Sequence, residues 1–396
     1  MISEPKVAIL FDKTHTFERE LLRGISRYSR LYSQWIYYPS TTLTAGNQKM
    51  ATNLKQVLQW KPDGIICNFT PDISKLVQSI PNIPIIFIYH PTPDEATPLR
   101  NYVSVDFKKV AISGARYLTG HGFKHYAFCG YADTPWCNIF SRYFSNIISD
   151  QGLHTSIYEQ PKSRVNQYWI KEQHFMARWI KSLPKPVAIM ASDDVRAQHI
   201  TVVCNQLDLD IPFEVSILGR SNDELLCETT TPTLSSIALN TNRTGYEVGK
   251  TLAAMMDGTY TNPTKIIIEP THVVSRISTE YLAVDDADTV TAMRYIRYNT
   301  HQHLQVTDIV EQTNVSRSVL ETKFRQFVGR TINEEIRRVR VEQISQMLVE
   351  TELSITEIAY ATGFKNVEHI ARYFRKEKDM SPRDYRKQYS RNAKAV

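Results

Sequence analysis

The feature that most constrains this chain is a pair of similar helical segments between Val306 and Arg386. In each segment, a short helix with apolar periodicity leads through a turn into a second helix that is apolar on one side and polar on the other. The two predicted pairs are Val306–Thr313 with Ser316–Phe327, and Ile355–Thr362 with Asn366–Lys376. Two helix-turn-helix units in tandem are typical of a protein that reads two successive major grooves of DNA.

The net charge is concentrated in the same part of the chain. Residues 1–288 contain 28 Lys and Arg against 28 Asp and Glu, whereas residues 289–396 contain 19 against 13, so the last quarter carries the whole formal charge of +6. A basic terminal segment on a neutral body favours contact with a phosphate backbone. From charge alone, a merely solvated basic face remains an equal alternative.

The polar faces of the two second helices supply candidate base-reading residues. Arg suits guanine, Glu suits the cytosine amino group, and small apolar groups contact the thymine methyl. Because any surface helix is amphipathic, it is the tandem arrangement that favours DNA reading. The predicted DNA-binding residues are Arg317, Ser318, Glu321, Thr322, Arg325, Asn366, Glu368, Ala371, Arg372 and Arg375. The predicted inner face of the first of these helices is Val319, Leu320, Phe324 and Phe327.

The first 280 residues alternate short apolar runs with amphipathic helical patterns. Apolar runs flanked by helices predict parallel strands that are buried on both faces, and ten of them suit two doubly wound lobes better than one sheet. The predicted strands are Val7–Phe11, Trp35–Tyr38, Gly64–Asn68, Ile85–Tyr89, Val103–Val105, Tyr126–Cys129, Ser156–Tyr158, Val187–Ala191, Val215–Leu218 and Ile266–Ile268.

Polar residues follow several of these strands, where the ligands of doubly wound sheets bind. Carboxylates, amides, Arg and aromatic rings in one cleft suit a sugar, because charged groups bind its hydroxyls and rings pack on its C–H face. The predicted ligand-binding residues are Asp12, Phe17, His90, Asp106, Trp136, Arg142, Asp194, Ser221 and Asn222. An Asp after a strand is more often a helix N-cap, and Asp106 and Asp194 are open to that simpler interpretation.

Residues 6–280 resemble the periplasmic-binding-protein-like sensor domain of the lactose-repressor superfamily. The resemblance is carried by Val7-Ala8-Ile9-Leu10-Phe11, Ala191-Ser192-Asp193-Asp194-Val195-Arg196-Ala197, Ile217-Leu218-Gly219-Arg220-Ser221-Asn222-Asp223 and Thr231-Pro232-Thr233-Leu234-Ser235-Ser236-Ile237. It implies that Asp194 and Arg142 bind effector hydroxyls. Ser221 stands where that family usually has Asp, which would remove a carboxylate–hydroxyl bond worth roughly 1.5–3 kcal/mol.

The C-terminal segment resembles the arabinose-regulator family of double helix-turn-helix domains. The stretches that carry this resemblance are Ile358-Ala359-Tyr360-Ala361-Thr362-Gly363-Phe364, Phe374-Arg375-Lys376 and Met380-Ser381-Pro382. The predicted fold class is therefore an α/β two-lobed periplasmic-binding-protein-like sensor plus an all-α double helix-turn-helix domain. The acidic stretch Asp285-Asp286-Ala287-Asp288 places the predicted boundary between a sensor at 1–284 and a DNA-binding domain at 285–396.

This order of modules resembles that of bacterial activators of pentose operons. The resemblance implies a transcription regulator whose effector is a pentose, D-xylose first, and whose other partners are a double-stranded DNA operator, a second copy of the chain in a homodimer and RNA polymerase. One alternative keeps the DNA-binding regulator but gives it a different sugar or another small ligand. A remote alternative is an α/β enzyme fused to a DNA-binding domain.

Several classes of protein do not fit the sequence. It has no Gly-rich phosphate loop, no Gly-x-Ser-x-Gly elbow and no metal-ligand spacing, so we expect no enzyme, no cofactor and no metal. The longest apolar run, Ile83–Tyr89, is far shorter than the ~18 residues of a membrane span. The five cysteines are scattered, which favours unpaired thiols in a reducing cytoplasm.

Overall fold

The structure is a computed structural model of the chain. It describes residues 4–11, 15–39, 56–69, 83–90, 99–132, 134–160, 169–260, 262–280, 286–300, 302, 304–364 and 368–389. The chain divides into two compact units, Met1–Tyr281 and Leu282–Val396. The predicted boundary between residues 284 and 285 lies outside the described residues and stays a prediction.

The first unit contains two sheets, each of six described strands. One sheet is built from Lys6–Leu10 (β1), Ile36–Tyr37 (β2), Gly64–Asn68 (β3), Ile85–Ile88 (β4), Asn101–Val105 (β5) and Thr264–Ile268 (β11). Its order is β11-β5-β4-β3-β1-β2, and every neighbouring pair is parallel. This sheet is the core of lobe 1.

The second sheet forms the core of lobe 2. Its strands are His125–Tyr131 (β6), Thr155–Gln160 (β7), Val187–Ala191 (β8), Val215–Arg220 (β9), Ser235–Leu239 (β10) and Pro270–Val274 (β12). The order is β12-β10-β9-β8-β6-β7, with β12 antiparallel to β10 at the edge. The two-lobed α/β prediction is confirmed, and each of the ten predicted strands is present.

Seven described helices cover these sheets. They are Thr16–Tyr32 (α1), Phe107–Thr119 (α2), Pro135–Ser149 (α3), Trp169–Ser182 (α4), Asp194–Gln206 (α5), Glu224–Thr229 (α6) and Thr241–Met256 (α7). Helices α1 and α7 approach closely because both carry glycine at the crossing, where a Cβ on Gly24 would lie 2.0 Å from the carbonyl oxygen of Asn242.

The chain crosses between the lobes three times, between β5 and α2, between β10 and α7, and between β11 and β12. The crossings are hydrogen-bonded to one another. The backbone N–H of Asp106 donates to the carbonyl of Ile268 at 2.9 Å, and that of Asn240 donates to Glu269 at 3.0 Å. Three short, mutually bonded connections form a natural hinge for movement of one lobe against the other.

All the secondary structure described in the second unit is helical. The helices are Ala287–Asn299 (α8), Val306–Val310 (α9), Arg317–Val328 (α10), Ile332–Glu350 (α11), Ile355–Ala361 (α12), Glu368–Lys378 (α13) and Pro382–Tyr389 (α14). Helices α9 and α10 form the first helix-turn-helix unit, α12 and α13 form the second, and α11 links them. The tandem arrangement is confirmed, although the first helix ends at Val310 rather than at Thr313.

Local sequence signals explain where the helices of this unit begin. Thr331 and Ser354 each start a helix with a reciprocal capping box, in which the glutamate three residues later accepts from the backbone N–H of the cap. Asp286, in the acidic stretch at the predicted boundary, caps α8. Lys323 of α10 binds Asp286 at 2.7 Å and Asp288 at 2.9 Å, so these acids anchor one helix to another.

All five cysteines are buried free thiols, as the sequence predicts. No described helix combines the length and the apolarity needed to cross a membrane.

Candidate functional site

Aromatic rings from both lobes meet at the carboxyl ends of the strands. Phe17, in the first turn of α1, packs edge-on against His90, which follows β4, with ring centroids 6.3 Å apart. His90 in turn lies 5.2 Å from the ring of Phe107, the first residue of α2. Trp136 of α3 stacks nearly parallel on Phe107 at 5.8 Å. The structure therefore brings together three predicted ligand-binding residues, Phe17, His90 and Trp136.

The environment of His90 holds its imidazole neutral. Burial, followed by the charge of Arg220, lowers the pKa of His90 to about 3. The backbone N–H of Val105 donates to Nδ1 at 3.3 Å, so the ring proton is on Nε2. A neutral imidazole with a fixed tautomer can offer one N–H donor to a ligand without adding charge to the cleft.

Arg220 lies at the centre of this cluster and is absent from the predicted set. It is the last residue of β9 and only 5% exposed. Its guanidinium carbon lies 4.9 Å from the ring of Trp136 and 5.5 Å from that of Phe107. Nε donates to the carbonyl oxygen of Ser192 at 2.7 Å. The sequence shows Arg220 only as a charged residue next to Ser221, at the end of a buried strand. It does not show where the side chain points.

Asp194 is held inside lobe 2. One oxygen accepts from the Ser236 hydroxyl at 2.5 Å and the other accepts from the backbone N–H of Asp223 at 2.7 Å. Burial raises the pKa of Asp194 to about 7. The N-cap of α5 is Asp193, which accepts from the N–H of Arg196 at 2.8 Å, so the capping interpretation of Asp194 was wrong by one residue. Binding of effector hydroxyls by Asp194 stays a prediction.

Ser221 and Asn222 form a strained turn at the mouth of the same strand. Their φ angles are 99° and 50°, in a region that non-glycine residues enter at an energetic cost. The turn is fixed by the interior, since the N–H of Asn222 donates to the Ser236 hydroxyl at 3.0 Å and its Oδ1 accepts from Arg276 at 2.9 Å. Strain of this kind persists where surrounding contacts impose it, as they do here.

A polar contact joins the lobes beside this turn. Asp223 accepts from the hydroxyl of Thr16 and forms an ion pair with Arg19 at 3.0 Å, both on α1. The same Asp223 caps α6 by accepting from Leu226. One carboxylate therefore connects the strained turn of lobe 2 to the first helix of lobe 1.

The other predicted ligand residues lie elsewhere or outside the described part. Asp106 lies in the hinge, where its carboxylate caps α2 by accepting from Lys109 at 2.9 Å, so the N-cap interpretation is confirmed. Arg142 is exposed on α3, six residues after Trp136 and thus on a different side of that helix. Asp12 lies outside the described residues.

In the second unit, the candidate DNA-reading side chains stand on an apolar core. Leu320 and Phe324 of α10, and Ile370 and Phe374 of α13, are at most 1% exposed. Val319 and Phe327 were predicted to share that core but are 43% and 37% exposed. The reason is geometric, because the buried stripe runs through Leu320, Phe324 and Val328 at four-residue intervals, and Val319 and Phe327 each precede a member of it.

Most of the predicted DNA-binding side chains are exposed or half-exposed. Ser318, Thr322 and Arg325 of α10 are exposed, as are Ala371, Arg372 and Arg375 of α13. Arg317 and Glu321 bind each other at 2.9 Å, so either must exchange its partner to contact DNA. Asn366 lies outside the described residues, as does the side chain of Glu368. Contact of all these residues with DNA stays a prediction.

Comparisons with known proteins agree with both halves of this arrangement. Residues 115–279 match the family of periplasmic binding protein-like domains, and residues 309–388 match a helix-turn-helix domain family. The chain is a helix-turn-helix transcription regulator with a periplasmic-binding-protein-like domain. The two matched segments fall in different compact units.

The regulator is also similar to known proteins along nearly its whole length. It is 26% identical to a xylose operon regulatory protein of Escherichia coli K12 over 96% of both chains. It is 27% identical to a protein of the same name from Haemophilus influenzae, over 96% of this chain and 98% of that one. The solved structure of a xylose-binding transcription activator matches with a TM-score of 0.77 and 25% identity, covering 98% of this chain and 99% of that chain.

Proposed function

We propose that this regulator is a D-xylose-dependent activator of pentose-utilisation genes, with the sugar bound between the two lobes. The observation that carries the proposal is the cluster of Phe17, His90, Trp136 and Arg220, which places aromatic faces beside hydrogen-bond donors from both lobes. Aromatic faces suit the C–H side of a sugar and donors suit its hydroxyls. D-xylose is the first candidate because the relatives named above are xylose regulators or bind xylose.

Sugar binding would act through the hinge and the contact between the lobes. A ligand that touches Phe17 on one side and Trp136 on the other binds better when the lobes are closed, and so shifts the population of lobe arrangements. Asp223 would respond to that shift, because it bonds to α1 and borders the turn at Ser221. In a homodimer, the change would alter the spacing of two DNA-binding units on paired half-sites.

The DNA-binding unit would read an operator with the exposed faces of α10 and α13. Ser318, Thr322 and Arg325 would serve one major groove, with Arg317 and Glu321 available once they release each other, and Ala371, Arg372 and Arg375 would serve the next. The two helices lie in two homologous positions on either side of α11, which suits grooves one helical turn, or ~34 Å, apart. We further propose that the regulator works in the cytoplasm and contacts RNA polymerase.

A thermal-denaturation panel tests the sensor. A ligand that binds only the folded state at 100 times its Kd raises the free energy of unfolding by about 2.7 kcal/mol. D-xylose should therefore raise the Tm of the sensor transition, while L-arabinose, D-ribose and D-glucose should raise it less. Absence of any shift with all four sugars at saturating concentration would contradict a sugar sensor of this type.

A second candidate keeps the DNA-binding regulator and changes the sugar. It is favoured by Ser221, which provides no carboxylate at the mouth of β9, and by the buried cation next to it. Both features alter the charge of the cleft.

A further inference from the structure

Two aspartates at the start of α8 bind the first helix-turn-helix unit at two places. The ammonium of Lys323, in the middle of α10, lies 2.7 Å from the carboxylate of Asp286 and 2.9 Å from that of Asp288. The other oxygen of Asp288 accepts from the backbone N–H of Asn314 at 3.1 Å. Because Asn314 lies between α9 and α10, the aspartates bind both the turn and the reading helix of this unit.

These ion pairs are partly withdrawn from water. The side chain of Lys323 is 29% exposed, and those of Asp286 and Asp288 are 14% and 15% exposed. Burial disfavours the charge of Asp286, but bonds from Lys323 and Thr289 outweigh burial and lower its pKa. The bond from Lys323 lowers the pKa of Asp288, and the two aspartates raise the pKa of Lys323. All three groups are therefore charged at neutral pH and form a network rather than an isolated surface pair.

Lys323 does not belong to the predicted reading face of α10. One residue turns an α-helix by about 100°, so the side chain of Lys323 points away from those of Thr322 and Arg325. The residues four positions before and after it are Val319 and Phe327, which share its stripe of the helix. A substitution of Lys323 therefore removes no predicted base-reading side chain.

The same aspartates stand where the chain enters the second unit. Glu280 is the last described residue of the first unit, and residues 281–285 separate it from Asp286. The reading helix of the second helix-turn-helix unit, α13, is instead tied to α11, where Arg337 lies 3.4 Å from Glu377. A movement of the start of α8 thus acts on α10 through bonded charges and on α13 through the linking helix α11.

We propose that Lys323 is a positioning residue for DNA reading, which makes the orientation of α10 follow the start of α8 and so transmits the ligand state of the first unit. This inference rests on the proposed sugar-dependent regulator and names the step between the ligand and the first helix-turn-helix unit. Coupling requires an element whose arrangement both sites bias. The start of α8 is such an element, because the first unit acts on it along the chain and the operator acts on it through α10 and Lys323.

Anisotropy of the full chain on a labelled duplex with two half-sites selected by the protein tests the proposal. The measured quantity is the ratio of the operator Kd values without and with saturating D-xylose. Allosteric coupling typically changes an affinity by about 5- to 150-fold, and Lys323→Met should bring the two Kd values to within about twofold of each other. Titration calorimetry should show unchanged D-xylose binding. Lys108→Met removes the same charge from an exposed position on α2 and should keep the wild-type ratio.

A double variant keeps the proposal testable if Lys323→Met does not fold. Asp286→Asn combined with Asp288→Asn removes both negative charges. It preserves the cap of α8, because Asn caps a helix as well as Asp does, and it leaves an acceptor oxygen for the N–H of Asn314. The double variant should lose the response to D-xylose as Lys323→Met does. Lys323→Arg keeps the charge and should keep most of the response.

The outcomes separate this inference from the proposed function. A wild-type Kd ratio in Lys323→Met or in the double variant overturns the role of Lys323 and leaves the sugar-dependent regulator standing. Operator binding that weakens equally with and without D-xylose also leaves the ratio unchanged, and shows that the ion pairs only stabilise the second unit. A wild type whose operator Kd does not respond to bound D-xylose overturns the proposed regulation itself, and the inference with it.

Discussion

The ligand cleft and the DNA-reading surface use charged side chains in opposite ways. In the cleft, Arg220 and Asp194 are 5% and 2% exposed, and each is fixed by bonds to strands or to backbone groups. On the reading helices, Arg325 and Arg372 are exposed, and each of these helices is anchored by a buried ring, Phe324 or Phe374. The charged groups of the cleft are thus part of the folded interior, whereas those of the DNA-reading helices lie on the surface.

This difference determines what a substitution can report. A change in the cleft alters folding and binding together, because the same bonds serve both. A change on the outer face of α10 or α13 should alter DNA binding alone.

The largest effect is expected from a substitution in the apolar core beneath the DNA-reading helices. Phe374→Ala deletes a fully buried ring of α13 and should lower the free energy of unfolding of the second unit by about 3–5 kcal/mol, abolishing operator binding while ligand binding by the first unit persists. Chemical denaturation followed by circular dichroism measures the loss. Tyr360→Ala, at a ring that is 61% exposed, is the matched control and should change stability little.

The next prediction concerns a DNA-reading side chain that lies outside the core. Arg372→Ala should weaken operator binding by about 1–3 kcal/mol, which corresponds to a loss of roughly 5- to 150-fold, with the free energy of unfolding unchanged. Fluorescence anisotropy at fixed salt measures the affinity, and Arg243→Ala provides the same charge change on an exposed site of α7. If Arg372→Ala binds the operator with unchanged affinity, Arg372 does not belong to the DNA-reading surface.

An intermediate effect is expected where the cleft joins the fold. Asp223→Ala removes both the cap of α6 and the bonds to α1, so it should lower stability by about 0.5–2 kcal/mol and also change ligand affinity. Arg19→Ala leaves the cap in place and removes a partly exposed ion pair, worth about 0–1 kcal/mol, together with the bond from Arg19 to the Thr16 hydroxyl. Equal losses in the two variants would show that the cap contributes nothing beyond the contact between the lobes.

A pH dependence is also expected, and it belongs to Asp194. Its pKa rises to about 7 in the folded protein, against about 3.9 when unfolded, so the folded state binds more protons between these values. Its contribution to stability is therefore fully present below about pH 4 and is lost as the pH rises through 7. As the pH rises over that range, the Tm of the wild type should fall relative to the Tm of Asp194→Asn. A Tm difference that stays constant would contradict the burial of this carboxyl group.

The sequence predicts the parts of this molecule that depend on periodicity. Long apolar runs such as Val187–Ala191 identify strands because the signal is local. The sequence does not predict β10, because this strand begins with two serines and serine is more typical of loops than of buried strands. Both are buried and satisfied by distant partners, Ser236 by Asp194 and Ser235 by Arg276 and Thr279.

The candidate site was predicted in part for the same reason. Phe17, His90 and Trp136 follow strands or begin helices at the carboxyl edge, so topology alone brings them together. Asp106 begins a helix at that edge as well but lies in the hinge, because β5 passes directly into the crossing to lobe 2. Arg220 depends on how far β9 extends and which way its last side chain points, and a one-residue change reverses that direction.

We propose that a ligand in the cleft controls how the DNA-binding unit binds its operator. Anisotropy of a labelled duplex carrying two half-sites selected by the protein tests it directly, at one salt concentration, with and without saturating D-xylose. We predict that D-xylose changes the operator Kd, and that the change disappears in a duplex with a single half-site. An operator Kd that stays the same with a ligand that calorimetry shows to be bound would contradict the account.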